Sequence, residues 1–166
     1  MNQSKRIIFH ALPTTTAEFL ALPQAAMATP HDTAALTVAA LCAFEKNREA
    51  TYEMLNILRG PRPLSEYEKQ FIRDRFMDGK GYIPRSYFAG ATPANDYTPA
   101  RPYTIEVLEN VYSFSNEGFA KLLLQSGGAD SPRQIELRLA KDGKWYLWEQ
   151  YLLSGIRMPE SSNPWT

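Results

Sequence analysis

QIELRLAKDGKWYLWEQYL, residues 134–152, decides the fold. Two runs alternate apolar and polar side chains, and Asp142-Gly143 sits between them. An Asp-Gly pair flanked by such runs is the strongest short-range signal for a β-hairpin. A two-residue loop sets Lys141 opposite Lys144, Ala140 opposite Trp145, Leu139 opposite Tyr146 and Leu137 opposite Trp148. Alternation then puts Ile135, Leu137, Leu139, Tyr146 and Trp148 on one face, the expected core side. Glu136, Arg138, Trp145, Leu147 and Glu149 share the other. Glu136 opposes Glu149, a destabilising pair unless something offsets it, and Arg138 is the nearest candidate. Two readings follow: a solvated ion cluster, or a carboxylate pair in a pocket walled by Trp145, where burial splits the pKa values for acid–base work.

Upstream, the period of two continues. Tyr103–Leu108 and Phe119–Ser126 read as strands, the second central because of Leu122-Leu123-Leu124. Lys5–Leu12 reads as a short strand that Pro13 ends. Before residue 80 the pattern is helical. Thr15-Thr16-Ala17-Glu18 and Ser65-Glu66-Tyr67-Glu68 have the capping-box form, a hydroxyl for the free helix amides and a carboxylate reaching back. Thr29-Pro30 opens a helix whose stretch Ala34–Phe44 is apolar nearly all round, the mark of a central, buried helix. Gly60-Pro61 ends the next one. In the helix after Ser65, Tyr67, Phe71, Ile72 and Phe76 make one apolar stripe. The expected architecture is α+β: a single domain over 1–166, with N-terminal helices (about 14–80) packed on one face of a C-terminal antiparallel sheet of about four strands (103–152). An irregular loop (81–102) joins the two parts, and a tail (153–166) follows. Helices followed by strands ending in a DGKW hairpin resemble the nuclear-transport-factor-like cone, a likeness of fold that says little about function.

Composition narrows the function classes. The chain has 166 residues, 44% hydrophobic and 22% charged, enough for one core. Its 18 basic and 18 acidic residues cancel, which argues against a generic nucleic-acid or membrane-surface binder. Arg59 to Arg85 holds seven basic and four acidic residues, a weak patch with no RRM, KH or zinc-finger signature. Cys42 is the sole cysteine, so neither an internal disulfide nor a multi-thiolate zinc site is available. It sits in an apolar run with no basic neighbour in sequence, as a small hydrophobe does. His10 and His31 are far apart, so neither a histidine metal site nor a histidine-based triad is signalled. No secretory leader or 18-residue apolar run is present, so the expected address is the cytoplasm.

Three clusters remain as binding candidates. The loop 81–102 brings Arg85, Tyr87, Asp96 and Tyr97 together, and long loops of this kind either carry function or pack on their own side chains. The turn Ser126-Gly127-Gly128-Ala129-Asp130-Ser131-Pro132-Arg133 offers consecutive glycine amides as an anion nest, with Ser126, Asp130 and Arg133 beside it; it is equally plain turn chemistry. The third is Glu136, Arg138, Trp145 and Glu149.

The segments GPRPLSEYEKQFIRDRF (60–76), GYIPRSYFAGATPANDYTP (81–99) and LLLQSGGADSPRQIELRLAKDGKWYLWEQYLLSGIRMP (122–159) resemble an uncharacterised bacterial family catalogued as a domain of unknown function. The likeness runs from about Thr33 to Trp165. It implies a bacterial, cytoplasmic, single-domain protein and carries no activity or catalytic residue. No nucleophile–base pair, metal cluster or phosphate loop is visible. The expectation is therefore a small cytoplasmic binding or protein-interaction module without catalysis or cofactor, recognising a protein or small ligand but neither nucleic acid nor membrane. The alternative is a small-molecule enzyme or carrier with a pocket between helices and sheet.

Overall fold

The computed structural model describes residues 3–165. The fold is α+β. Strands β1 (Gln3–Phe9), β2 (Tyr103–Glu109), β3 (Phe119–Leu124), β4 (Arg133–Leu139) and β5 (Trp145–Gln150) form one antiparallel sheet in the order β1-β2-β3-β4-β5. Between β1 and β2 run α1 (Thr16–Leu20), α2 (Pro30–Cys42), α3 (Arg48–Arg59), α4 (Glu66–Arg75) and the short α5 (Tyr82–Arg85). The sheet thus has five strands rather than about four. The extra one is the N-terminal run, which pairs with β2 from Gln3↔Glu109 to Phe9↔Tyr103.

The helices cover the face that carries Phe9, Ile105, Leu122, Leu124, Ile135, Leu137 and Leu147, all nearly inaccessible. Alternation puts Arg6, Glu106, Lys121, Glu136 and Arg138 on the opposite face. Helix α2 lies across the whole sheet and touches every strand. It begins where Thr29 Oγ1 accepts from the Asp32 amide at 3.1 Å and Pro30 presets the first turn. Its residues Ala34–Leu41 are buried on all sides, and four alanines there let sheet and neighbouring helices approach closely. The buried hydroxyls of α2 and α3 are satisfied: Thr33 donates to Trp145 O at 2.6 Å, Thr37 to Thr33 O at 2.9 Å, and Thr51 to Ala40 O at 2.7 Å. His31, outside the sequence expectations, clamps the start of α2 to the end of β2, with Nε2 at 2.6 Å from Glu109 Oε2.

The last hairpin corrects the expected register. Gly143 alone takes a left-handed backbone (φ 83°), and Ala140 bonds Lys144 across a three-residue loop. That is the bulged turn, in which Asp142 stays at negative φ, rather than the two-residue turn that needs both residues at positive φ. Pairing therefore slips by one: Leu139 opposes Trp145, Arg138 opposes Tyr146, and Leu137 opposes Leu147. A one-residue slip flips every side chain. Leu147 enters the core and Trp145 and Tyr146 both pack against it, whereas Trp148 is not part of the core and Leu139 is 42% exposed. A bulge at Trp148 then restores Glu136 opposite Glu149.

As an edge strand, β5 is covered by other elements. The Trp145 amide donates to Met27 O at 2.9 Å, and the Trp145 carbonyl accepts from Thr33. The Trp148 carbonyl accepts from Arg62 of the α3–α4 connector. Gly60 allows that connector to lie on the strand: a Cβ there would stand 2.5 Å from the Tyr146 ring, and its φ is +61°. Such covering blunts an edge against pairing with another chain.

Candidate functional site

The clusters marked in the sequence come out as two groups. Arg85, Tyr87, Asp96, Tyr97, Ser126, Asp130 and Arg133 meet in a buttress that ties the loop 81–102 to the glycine turn and the tail. Tyr87 and Tyr97 are buried, their hydroxyls donating to Leu152 O and Arg157 O, each at 2.5 Å. Burial raises both phenol pKa values, most strongly for Tyr87. Tyr97 stacks on Tyr82 at 5.4 Å. Arg85 pairs with Glu45 at 2.6 Å and donates to Tyr97 O. Asp96 accepts from Ser161, and Asp130 pairs with Arg157 at 3.0 Å. Arg133 donates to the carbonyls of Ser131, Ser154 and Gly155.

The glycine amides are used internally. Gly127 donates to Ser86 O at 2.8 Å and Gly128 to Ser126 Oγ at 3.0 Å, while Ser126 donates to Ser86 Oγ at 2.7 Å. Both glycines sit where a side chain has no room. A Cβ on Gly127 would lie 2.1 Å from Ala91 O, and one on Gly128 would lie 2.0 Å from the Tyr97 hydroxyl. The buttress packs the loop on itself and on the sheet end.

Glu136, Arg138, Trp145 and Glu149 are not one pocket. Trp145 faces the helices and does not wall the acidic pair. Glu136 accepts from Gln134 at 2.9 Å, and Glu149 lies 3.9 Å from Arg62. Arg138 turns its guanidinium to the rings of Trp148 and Phe119.

An apolar concavity lies elsewhere, between α4 and β5. It is a hollow of about 310 Å³, floored by Leu41, Leu55, Ile72 and Leu147 and rimmed by Leu64, Tyr67, Phe71 and Tyr151. Tyr67, Phe71 and Tyr151 are 80%, 41% and 52% exposed. The expected stripe of α4 therefore divides, because Ile72 and Phe76 go inward while Tyr67 and Phe71 stand along the hollow. Its polar groups are Glu149, Gln150 and the pair Arg59–Glu68, 2.8 Å apart with Arg59 buried. The Tyr151 phenol is held above its ordinary pKa by burial and by Glu136 and Glu149, so at neutral pH it is an uncharged donor. What identified α4 in the sequence was its cap, and the cap is what aims it. Ser65 Oγ accepts from the Glu68 amide at 3.1 Å, and Glu68 accepts from the Ser65 amide at 3.0 Å.

Glu68 makes this wall sensitive to acid. Burial pushes its pKa up, but the Ser65 amide, the Arg59 guanidinium and the Ser65 hydroxyl together hold it below the ordinary 4.5. A carboxylate lowered on folding stabilises above its unfolded pKa, and that contribution disappears as pH falls through the folded value. The urea midpoint of the wild type should therefore drop more steeply below pH 4.5 than that of Glu68→Gln. Parallel acid limbs in the two proteins would refute the assignment.

A second, adjoining hollow of about 340 Å³ shares Arg59 and Leu147 with the first and is otherwise lined by Pro61, Arg62, Arg138, Leu139, Ala140, Lys141, Tyr146 and Trp148. A third, near Cys42, is lined by Glu45, Lys46, Arg85 and Arg101. Cys42 is half-buried, and burial raises its thiol pKa against the opposing pull of Arg85, a basic neighbour invisible in the local sequence. Among the described residues no group of histidine, cysteine and carboxylate side chains could hold a metal, and no helix is long and apolar enough to cross a membrane.

A family model described as a domain of unknown function (DUF6935) matches residues 11–160. No curated protein and no solved structure matches the chain.

Proposed function

We propose, from the premise that the chain belongs to the DUF6935 family, that it is a non-catalytic binding module whose ligand seats in the hollow between α4 and β5. One observation carries this reading: three large ring side chains, Tyr67, Phe71 and Tyr151, stand exposed around an apolar floor. Leaving such rings in water costs stability that burial elsewhere would have supplied, and exposed apolar surface with a polar rim marks interaction sites. Concavity and a few convergent polar groups fit recognition of a partly apolar ligand or of an apolar side chain from a protein partner. We place the module in the bacterial cytoplasm, where a lone cysteine such as Cys42 stays reduced. The alternative, a small-molecule carrier or enzyme, draws on the same hollow, whose volume lies at the lower end of small-molecule pockets.

A Phe71→Ser variant tests the site. Phe71 lies on the exposed side of α4, so the change should move stability by less than about 1 kcal/mol. In a thermal-shift screen against metabolites, a ligand at about 100 times its Kd adds roughly 2.7 kcal/mol to the wild type. Any such shift from an uncharged metabolite, and any protein retained from a bacterial lysate, should be lost in Phe71→Ser. Identical shifts and identical retained proteins in the two would overturn the reading. A metabolite shift without protein retention would favour the carrier.

A further inference from the structure

The adjoining hollow has a different chemistry. Two guanidinium groups converge there on one indole. The Arg62 guanidinium carbon is 3.8 Å from the centre of the Trp148 ring and that of Arg138 is 4.6 Å. Arg62, Arg138 and Lys141 all line this one hollow, so an oxyanion entering it meets the Arg138 fork with further basic groups close by. Phe119 closes the back of the stack, edge-on to Trp148 at 5.8 Å.

The charges here are unevenly matched. Arg59, at the rear, is paired with Glu68. Arg62 lies 3.9 Å from Glu149, caps the Trp148 carbonyl and also acts electrostatically on Glu68. Arg138 contacts two rings and, among the described residues, no carboxylate lies within 4.0 Å of it. Lys141 stands at the mouth. The nearby Asp142 is engaged with the Tyr146 hydroxyl at 2.6 Å and the Lys144 amide. Stacking holds the Arg138 fork in place without using its N–H groups, which leaves them available for planar, two-pronged recognition of an acid group. The remaining walls, Pro61, Leu139 and Ala140, are apolar.

We propose that this hollow is a second binding site, for a small organic oxyanion. The acid group of a carboxylate or phosphate ester accepts from the free fork of Arg138, with Arg62 and Lys141 lining the same hollow, and its apolar body lies against Pro61 and Leu139. The site shares Arg59 and Leu147 with the α4 hollow but uses none of the rings Tyr67, Phe71 and Tyr151.

The experiment titrates the full chain with phenyl phosphate, benzoate, inorganic phosphate and uncharged benzyl alcohol, following tryptophan fluorescence and thermal shift. Phenyl phosphate or benzoate should saturate the protein. Either should bind at least about tenfold more tightly than benzyl alcohol, and its affinity should fall as salt rises. Arg138→Ala should weaken binding about tenfold, whereas Phe71→Ser should leave it unchanged. Lys141→Gln, at an exposed turn, gives a second reading should Arg138→Ala prove unstable, and it should weaken binding a few-fold. The preferred anion separates phosphate from carboxylate as the source of the acid group. No saturation by any of the three anions at millimolar concentration would overturn the proposal. So would equal binding of benzyl alcohol, or unchanged affinity in both basic-residue variants.

Discussion

Gly127→Ala should destabilise the protein by about 3 kcal/mol, the upper range for forcing an atom into closed packing. The new Cβ would stand 2.1 Å from the carbonyl oxygen of Ala91, which is backbone and has no rotamer to move. Relief requires the loop to lift. That would stretch the bond from Gly127 to Ser86 and disturb the paired hydroxyls of Ser86 and Ser126 beneath it. The effect should appear as a lower urea midpoint together with faster amide exchange across residues 86–100. If Gly127→Ala kept the wild-type midpoint, the loop would not be seated on the turn as described. Gly143→Ala is the internal comparison: no atom lies within 4 Å of its added Cβ, and only the left-handed backbone opposes it. That change should cost about 1–2 kcal/mol.

Phe9→Ala should cost more, about 3–5 kcal/mol, because it empties a fully buried site that neighbours fill only in part. With a urea slope of about 2 kcal/mol per molar, the midpoint should fall by roughly 2 M. Ile8→Ala, one position along on the outer face and 44% exposed, should cost less than about 1 kcal/mol. The pair tests whether β1 belongs to the sheet. Equal, small effects would mean that the N-terminal run is an appendage.

Local chemistry was readable in the sequence wherever one segment settles it alone. The Ser65–Glu68 box, the all-round burial of α2 and the stop at Gly60-Pro61 each depend on neighbours within a turn or two, and each is found in the structure. At Thr15 the helix cap forms as expected, but Glu18 reaches to the Thr14 amide and hydroxyl instead of the capping residue's amide. The hairpin register was missed because Asp-Gly serves two turn types, and only the backbone angle at Asp142 separates them. The place of β1 was missed for a longer-range reason: its partner begins 94 residues further on, at Tyr103. The α4 hollow was hidden for a related reason. A stripe of apolar residues shows that a helix has an apolar side but not where the packing stops, so Ile72 and Tyr67 look alike in sequence. Arg62 and Arg138 were separately visible, but only the turn slip and the bulge at Trp148 bring them to one ring.

The pairing of the first strand with the second also fixes an order of events during synthesis. A ribosome adding about 5–20 residues per second completes Tyr103–Glu109 some 5–20 s after Gln3–Phe9. Through that interval the nascent chain carries Ile7, Ile8 and Phe9 without their sheet partner, while the strand destined for the centre of the sheet has yet to emerge. Of the five strands β1 is thus the first made and among the last to be secured, which makes it the segment where a holding chaperone would find work.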